Sequence, residues 1–140
     1  MFLNSSFGRT LDIMHRSMDV TMLRQGVIAD NIANVDTPNF KRSFVNFESQ
    51  LKAALQSENA PRPLEAARTR PGHIRFTQPV DYRTVRPQRQ LDYLTTSKNN
   101  GNNVDIEVES MEFLNSQLLY TLMTDSVQQQ FQRVNLVVRG

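Results

Sequence analysis

Two histidines, His15 and His73, and no cysteine at all are what this chain offers toward metal or nucleophilic chemistry. Neither histidine has a second histidine four residues away, so both read as partly buried polar side chains. Without cysteine there is no thiolate ligand and no disulfide frame, and the redox compartment stays unassigned. Asp105, Glu107, Glu109 and Glu112 are of a type that binds hard cations. Their place at the start of a helical stretch accounts for them more simply, because negative charge is stabilised at the positive end of the helix dipole. Gly101 is followed by Asn102 and lacks the Lys-Ser or Lys-Thr of a phosphate-binding loop. These residues predict no catalytic group, no metal site and no cofactor, and hence no enzyme.

The elements carrying these residues divide as helix, turn, short helix, irregular middle and long helix. In the first, Phe7, Leu11, Met14, Met18, Met22, Gln25, Ala29 and Ile32 follow 3–4 spacing, and Ile13, Val20 and Val27 form a second row at seven. The spacing predicts a helix over Phe7–Asn34, about 40 Å long at ~1.5 Å per residue. Asp36, Thr37, Pro38 and Asn39 stop it, since proline turns the residue before it away from helix and Asp and Asn favour turns. Phe44–Leu55 reads as a short helix with Phe47, Leu51, Ala54 and Leu55 on one side.

From residue 58 to 103 the chain is irregular and basic. Eight cations (Arg62, Arg68, Arg70, Arg75, Arg83, Arg86, Arg89, Lys98) face four anions, although the formal net charge of the whole is only +2. Five of the six prolines lie between Pro61 and Pro87, which rules out a long helix there. Short extended pieces are expected at His73–Thr77 and Val80–Val85. Such a basic segment suits nucleic acid or an acidic protein surface. Phe76, Tyr82 and Tyr93 are too scattered among prolines for a stacking platform, so a protein surface is the expected target and not nucleic acid.

Asp105 is placed to cap the last helix, expected over Asp105–Val138. One row is Met111, Leu114, Leu118 and Leu122. Another is Phe113, Tyr120, Val127 and Val134 at strict seven-residue spacing. Arg133 and Arg139 sit at its negative end. The fold class expected is therefore mainly α: long N- and C-terminal helices pairing, parallel or antiparallel, as a coiled-coil-like bundle around an irregular, partly extended middle. Segments 1–57 and 104–140 are expected to form one helical core, with 58–103 as a separate basic segment. Each long helix has two apolar rows, one more than a single partner covers. The expectation is a free monomer largely disordered at both ends, completed by packing against sister molecules.

No stretch reaches the ~18 apolar residues of a membrane span, and the start MFLNSSFGRTLDIMHRS lacks the basic, then apolar, pattern of a cleaved signal. No direct membrane insertion is expected, and work outside the cytoplasm would need another export route.

Two motifs sharpen this picture. NIANVDTPNFKR resembles the N-terminal signature of the flagellar axial proteins, the rod, hook and hook-associated family. GNNVDIEVESMEFLNSQLLY resembles the stretch that opens the C-terminal helix of proximal rod proteins. With the short length, the TPNFKR variant and RPGHI at Arg70–Ile74, the chain is most similar to the FlgB-type proximal rod proteins of the bacterial flagellar basal body. The resemblance covers roughly 7–55 and 101–138 and is thin between them. It implies a structural subunit whose terminal helices form a coiled-coil-like layer of a tubular shaft. It further implies export through the flagellar type III apparatus without a cleaved signal, a place in the periplasmic rod, and self-association in a helical assembly. The implied neighbours are other rod proteins, the rod–ring adaptor FliE and the membrane-embedded MS-ring. Asn31, Ile32, Ala33, Asn34, Thr37 and Pro38 would form the corner where the helix meets its neighbours, with Asn31 and Asn34 hydrogen-bonding backbone groups. Leu11, Met14, Met18, Ile32, Met111, Leu114, Leu118, Tyr120, Leu122 and Val127 are the expected subunit-packing residues. A non-polymerising rod-to-ring adaptor and a small basic nucleic-acid-binding protein are the alternative readings.

Overall fold

A computed structural model of the protein describes residues 5–60, 69–70, 72, 79–95 and 98–140. The elements are α1 (Ser6–Ala33), β1 (Ser43–Asn46), α2 (Glu48–Asn59), a 3₁₀ turn (Tyr82–Thr84), β2 (Gln88–Leu91) and α3 (Ile106–Arg139). They fall into two compact units, one of residues 1–45 with 89–140 and one of residues 46–88. The expected extended piece at His73–Thr77, most of RPGHI, and Arg62, Arg68 and Arg75 lie outside the described residues.

The first unit is a hairpin of two long helices. Ser5 caps α1, its hydroxyl accepting the Gly8 N–H at 3.1 Å. Asp105 caps α3 by accepting the Glu107 N–H at 2.9 Å. Asn31 reaches Glu109, the Ser116 hydroxyl approaches the Thr21 carbonyl at 3.4 Å, and the rings of Phe7 and Phe131 meet edge to face with centroids 6.4 Å apart. Position numbers fall on one helix as they rise on the other, so the pairing is antiparallel.

Apolar periodicity fixes which faces meet. On α3, Glu109, Phe113, Ser116, Tyr120, Met123, Val127 and Gln130 alternate in steps of four and three. Apart from Ser126, they are all of that helix's buried and half-buried residues. This is an antiparallel coiled-coil seam. Its partners on α1 include Val20, Thr21, Val27, Ile28 and Asn31, all buried. Of the two rows on α3, the strict heptad row thus faces α1 from Phe113 to Val127, with Val134 beyond the seam and exposed. The row Met111, Leu114, Leu118 and Leu122 lies on the opposite side of the helix, 57 to 65% exposed.

β1 and β2 pair as a two-stranded sheet. The Asp92 N–H donates to the Arg42 carbonyl at 2.8 Å, just past the two strands, which makes them antiparallel. This differs from the expected helix over Phe44–Leu55: its first residues are strand, and α2 begins only at Glu48. Phe44, Phe47 and Leu51 have helical spacing, but both backbone groups of Ser43 are claimed by the side chain of Asn31, back in α1. Val80–Val85 likewise departs from an extended piece, because Asp81 accepts the Arg83 N–H at 2.9 Å and winds Tyr82–Thr84 into a 3₁₀ turn.

In the second unit Phe47, Ala54, Tyr82 and Val85 are buried. The Ser57 hydroxyl donates to the Ala54 carbonyl at 2.7 Å and accepts the Val80 N–H at 2.9 Å, tying the end of α2 to the chain before the 3₁₀ turn. Among the described residues no helix is long and apolar enough to cross a membrane.

The two faces of the hairpin should respond differently to truncation. Ile28→Ala in the seam is expected to cost about 2–5 kcal/mol by urea unfolding, whereas Met111→Ala on the outer row should stay within about 0.5 kcal/mol.

Candidate functional site

The corner after α1 is built by polar side chains that collect backbone groups. Asn34 ends the helix, its N–H donating to the Asp30 and Asn31 carbonyls at 3.2 and 3.1 Å and its amide to the Asp30 carbonyl at 2.8 Å. The Thr37 N–H then donates to the Asn34 carbonyl at 3.1 Å, and Asn39 takes a left-handed φ of 61°. The chain turns back into β1 over a few residues.

Asn31 is fully buried at the inside of this corner. Its amide nitrogen donates to the Ser43 carbonyl at 2.8 Å and to Glu109 Oε2 at 3.0 Å, and its oxygen accepts the Ser43 N–H at 3.0 Å. One side chain thereby joins α1, β1 and α3. Glu109 has no solvent exposure, and its other oxygen accepts from Arg42 Nε. A buried carboxylate is tolerated only with a counter-charge and hydrogen bonds to its lone pairs, and Glu109 has both.

The loop before α3 grips the corner from the other side. The Asn102 amide nitrogen lies 2.9, 3.0 and 2.9 Å from the carbonyls of Asn34, Val35 and Thr37, and its oxygen accepts the Val104 N–H at 2.7 Å. Asn103 accepts the Arg42 N–H at 2.6 Å and donates to the Asp92 carbonyl at 2.7 Å. Lys41 Nζ donates to the Gly101 carbonyl at 2.8 Å, and Lys98 Nζ to the Val35 carbonyl at 2.9 Å. Gly101 has φ +79°, a conformation strained for any side chain, and a Cβ there would lie 2.6 Å from Asn39 Oδ1 and push it aside, so glycine is favoured. Asp92 holds the adjoining turn. Its carboxyl is kept below the usual carboxylate range first by the Thr95 hydroxyl, with the Leu94 and Thr95 N–H groups and Arg42 adding to the effect.

The two sequence motifs are therefore each other's principal partners. Of the residues expected at the corner, Asn31 is buried, Ile32 and Asn34 are half-buried, and Ala33, Thr37 and Pro38 are exposed. Of those expected to pack subunits, Tyr120 and Val127 lie on the seam, and Leu11, Met14, Met18 and Ile32 are half-buried. Met111, Leu114, Leu118 and Leu122 stand on the outer row. Sequence reasoning missed Arg42, Asn102, Asn103 and Glu109. A signal for Glu109 was present: counting back four from Phe113 along the heptad row sets a carboxylate on an apolar seam. The basic middle is also partly spent internally, since Arg89 pairs with Asp30 at 3.1 Å and Arg83 lies 5.6 Å from the Tyr82 ring centroid. Among the described residues no three histidine or acidic side chains are grouped to hold a metal.

The turn after α1 lies within the stretch that a known family matches. The family described as flagella basal body rod protein matches residues 21–41, the second half of α1 and the turn. At full length, the chain is 45% identical over 133 residues to the flagellar basal body rod protein FlgB of Borrelia hermsii, covering 95% of this chain and 98% of that one. It is 42% identical over 135 residues to FlgB of Borreliella burgdorferi, covering 96% and 99%. FlgB of Bacillus subtilis is 29% identical over 136 residues, covering 97% and 98%. A flagellar basal-body rod protein is thus the class that these relatives define. Within that class the chain belongs to the FlgB family.

Asn102 offers the sharpest test of the corner. Asn102→Ala leaves the Val104 N–H without its acceptor. It also takes one donor from each of three carbonyls that keep another, from the Thr37 N–H, Lys98 Nζ and the Phe40 N–H, and should cost about 1–3 kcal/mol in urea unfolding. Asn102→Asp, nearly the same shape, sets a carboxylate oxygen against those carbonyls and should destabilise at least as much.

Proposed function

We propose that the chain is a structural subunit of the proximal rod, polymerising through its paired terminal helices into the shaft that transmits torque. The observation carrying this reading is the outer row of α3. Met111, Leu114, Leu118 and Leu122 cover about three turns on the side away from α1 and remain largely in water. Fully burying each such side chain is worth roughly 1.5–3 kcal/mol. A contiguous apolar stripe of this kind marks an interaction surface. Leu136, Val137 and Val138 continue the exposed apolar surface at the end of the helix, 75 to 84% exposed.

In this reading the row seats in a groove of the next subunit. The contact is heterologous and does not close, so it propagates as a helix. The antiparallel hairpin supplies the stiff element, because its seam spans most of both helices. The neighbours are further copies, other rod proteins, the rod–ring adaptor FliE and the MS-ring. The site of action is the periplasmic rod, reached through the flagellar type III apparatus. No catalytic step is part of the proposal, and membership of a family of rod proteins supports a mechanical role.

Leu118→Asp separates assembly from folding, because Leu118 points away from the seam. The purified variant should keep wild-type helicity and melting temperature, yet fail to enter basal bodies and leave cells non-motile. A motile strain carrying the substitution would refute the proposal.

A further inference from the structure

Asn100 precedes Gly101, and the fold shows what favours this pairing. The glycine is fixed by its φ of +79° and by Asn39 Oδ1 standing where a Cβ would go. The Asn100 backbone carbonyl accepts the Asn39 N–H at 3.1 Å, and its side-chain oxygen accepts the Asn102 N–H at 3.1 Å. Both residues thus serve the corner. Together they form the dipeptide most open to intramolecular cyclisation, because no side chain shields the nitrogen after the asparagine, itself among the thermolabile residues.

We propose that Asn100 is a latent modification site, cyclising and converting to isoaspartate in the unfolded chain and held shut by the folded corner. In the reaction, hydroxide or a solvent base removes the Gly101 amide proton, and the nitrogen attacks Cγ of Asn100. A C–N bond forms, the bond from Cγ to Nδ2 breaks, and ammonia leaves a five-membered succinimide. Water then opens either carbonyl of the ring, giving aspartate or isoaspartate, with no change of oxidation state.

Two bonds of the folded loop oppose the first step. The Gly101 N–H donates to the Lys98 carbonyl at 3.2 Å, so the nucleophile is engaged. The Asn100 side chain is tethered through the oxygen that the Asn102 N–H holds. The Lys98 N–H donates to the Asn102 carbonyl at 3.0 Å and closes the same loop. Reaction therefore requires local opening, and its rate follows the open population.

The product would disturb the residue on which the corner closes. Isoaspartate adds a methylene to the backbone between residues 100 and 101 and puts a carboxylate where an amide stood. Asn102, two residues on, must meet four backbone groups at 2.7 to 3.0 Å. A lengthened loop cannot hold that register. A chain that lingers unfolded loses the ability to close its corner, while a folded subunit is protected.

The test incubates the full-length chain at mildly alkaline pH, in native buffer and in guanidinium chloride. Isoaspartate at residue 100 is read by peptide mapping and by methyl transfer from an isoaspartyl methyltransferase. Conversion should be at least roughly tenfold slower in the folded chain. Asn102→Ala should raise the native-buffer rate toward the unfolded rate, an outcome that holds even where that variant fails to fold. Equal rates for folded and unfolded wild type would overturn the proposal, as would an Asn102→Ala chain reacting no faster than wild type. Chromatographically isolated isoaspartate-100 chain returned to native buffer should not regain the wild-type melting temperature, and full recovery would overturn the predicted damage to the corner.

Discussion

A carboxylate without solvent exposure sits between the two long helices, and the rest of the hairpin is arranged to make that tolerable. Removing Glu109 from water costs several kcal/mol per ion even after relaxation. Arg42 and Asn31 offset the cost, one with charge and the other with an amide N–H. Those two groups are available only if α1 ends where it does, the chain turns through Asp36–Asn39, and β1 returns beside α1. The ion pair does not make the hairpin more stable than an apolar seam would. It makes one register better than the others, since sliding either helix by a heptad takes the carboxylate away from both partners.

The same logic explains why the turn after α1 and the loop before α3, more than sixty residues apart, meet. The turn after α1 exposes carbonyls that no helix or strand can satisfy. Asn102 adds a side-chain donor that ties them to the loop before α3, and its own oxygen starts the path into α3. With the corner locked from both sides, the seam runs away from it along the hairpin to Phe7 and Phe131. The outer row of α3 is then fixed on the far face by helix geometry alone, about 100° per residue around the axis. A rigid backing that holds an apolar stripe in water is what a subunit needs if its partners are other subunits.

The long helices are legible in the sequence because their periodicity is local. The pattern predicts Phe7–Asn34 and Asp105–Val138, and Ser6–Ala33 and Ile106–Arg139 are found. The heptad row of Phe113, Tyr120 and Val127 is visible too, though nothing local says which of two rows faces the partner. The strands are not legible. SFVN lies inside a helical apolar pattern and is extended because Asn31 takes both backbone groups of Ser43. QRQL in β2 is polar and exposed, without the alternation that marks a half-buried strand. Asn99–Asn103 reads as a simple stop, since the groups Asn102 satisfies lie on the far side of the chain's longest excursion. Local pattern reveals the helices, and long-range hydrogen bonding decides the corner.

A double-mutant cycle between Arg42 and Glu109, read by urea unfolding, tests the dependence of the buried carboxylate on its counter-charge most directly. Arg42→Met alone strands a buried carboxylate and should cost about 3–5 kcal/mol. Combining it with Glu109→Met should recover most of that loss, because the second change removes the charge that needed a partner. Strictly additive losses, with the double variant weaker than either single one, would show that Glu109 does not depend on Arg42 and would contradict the account.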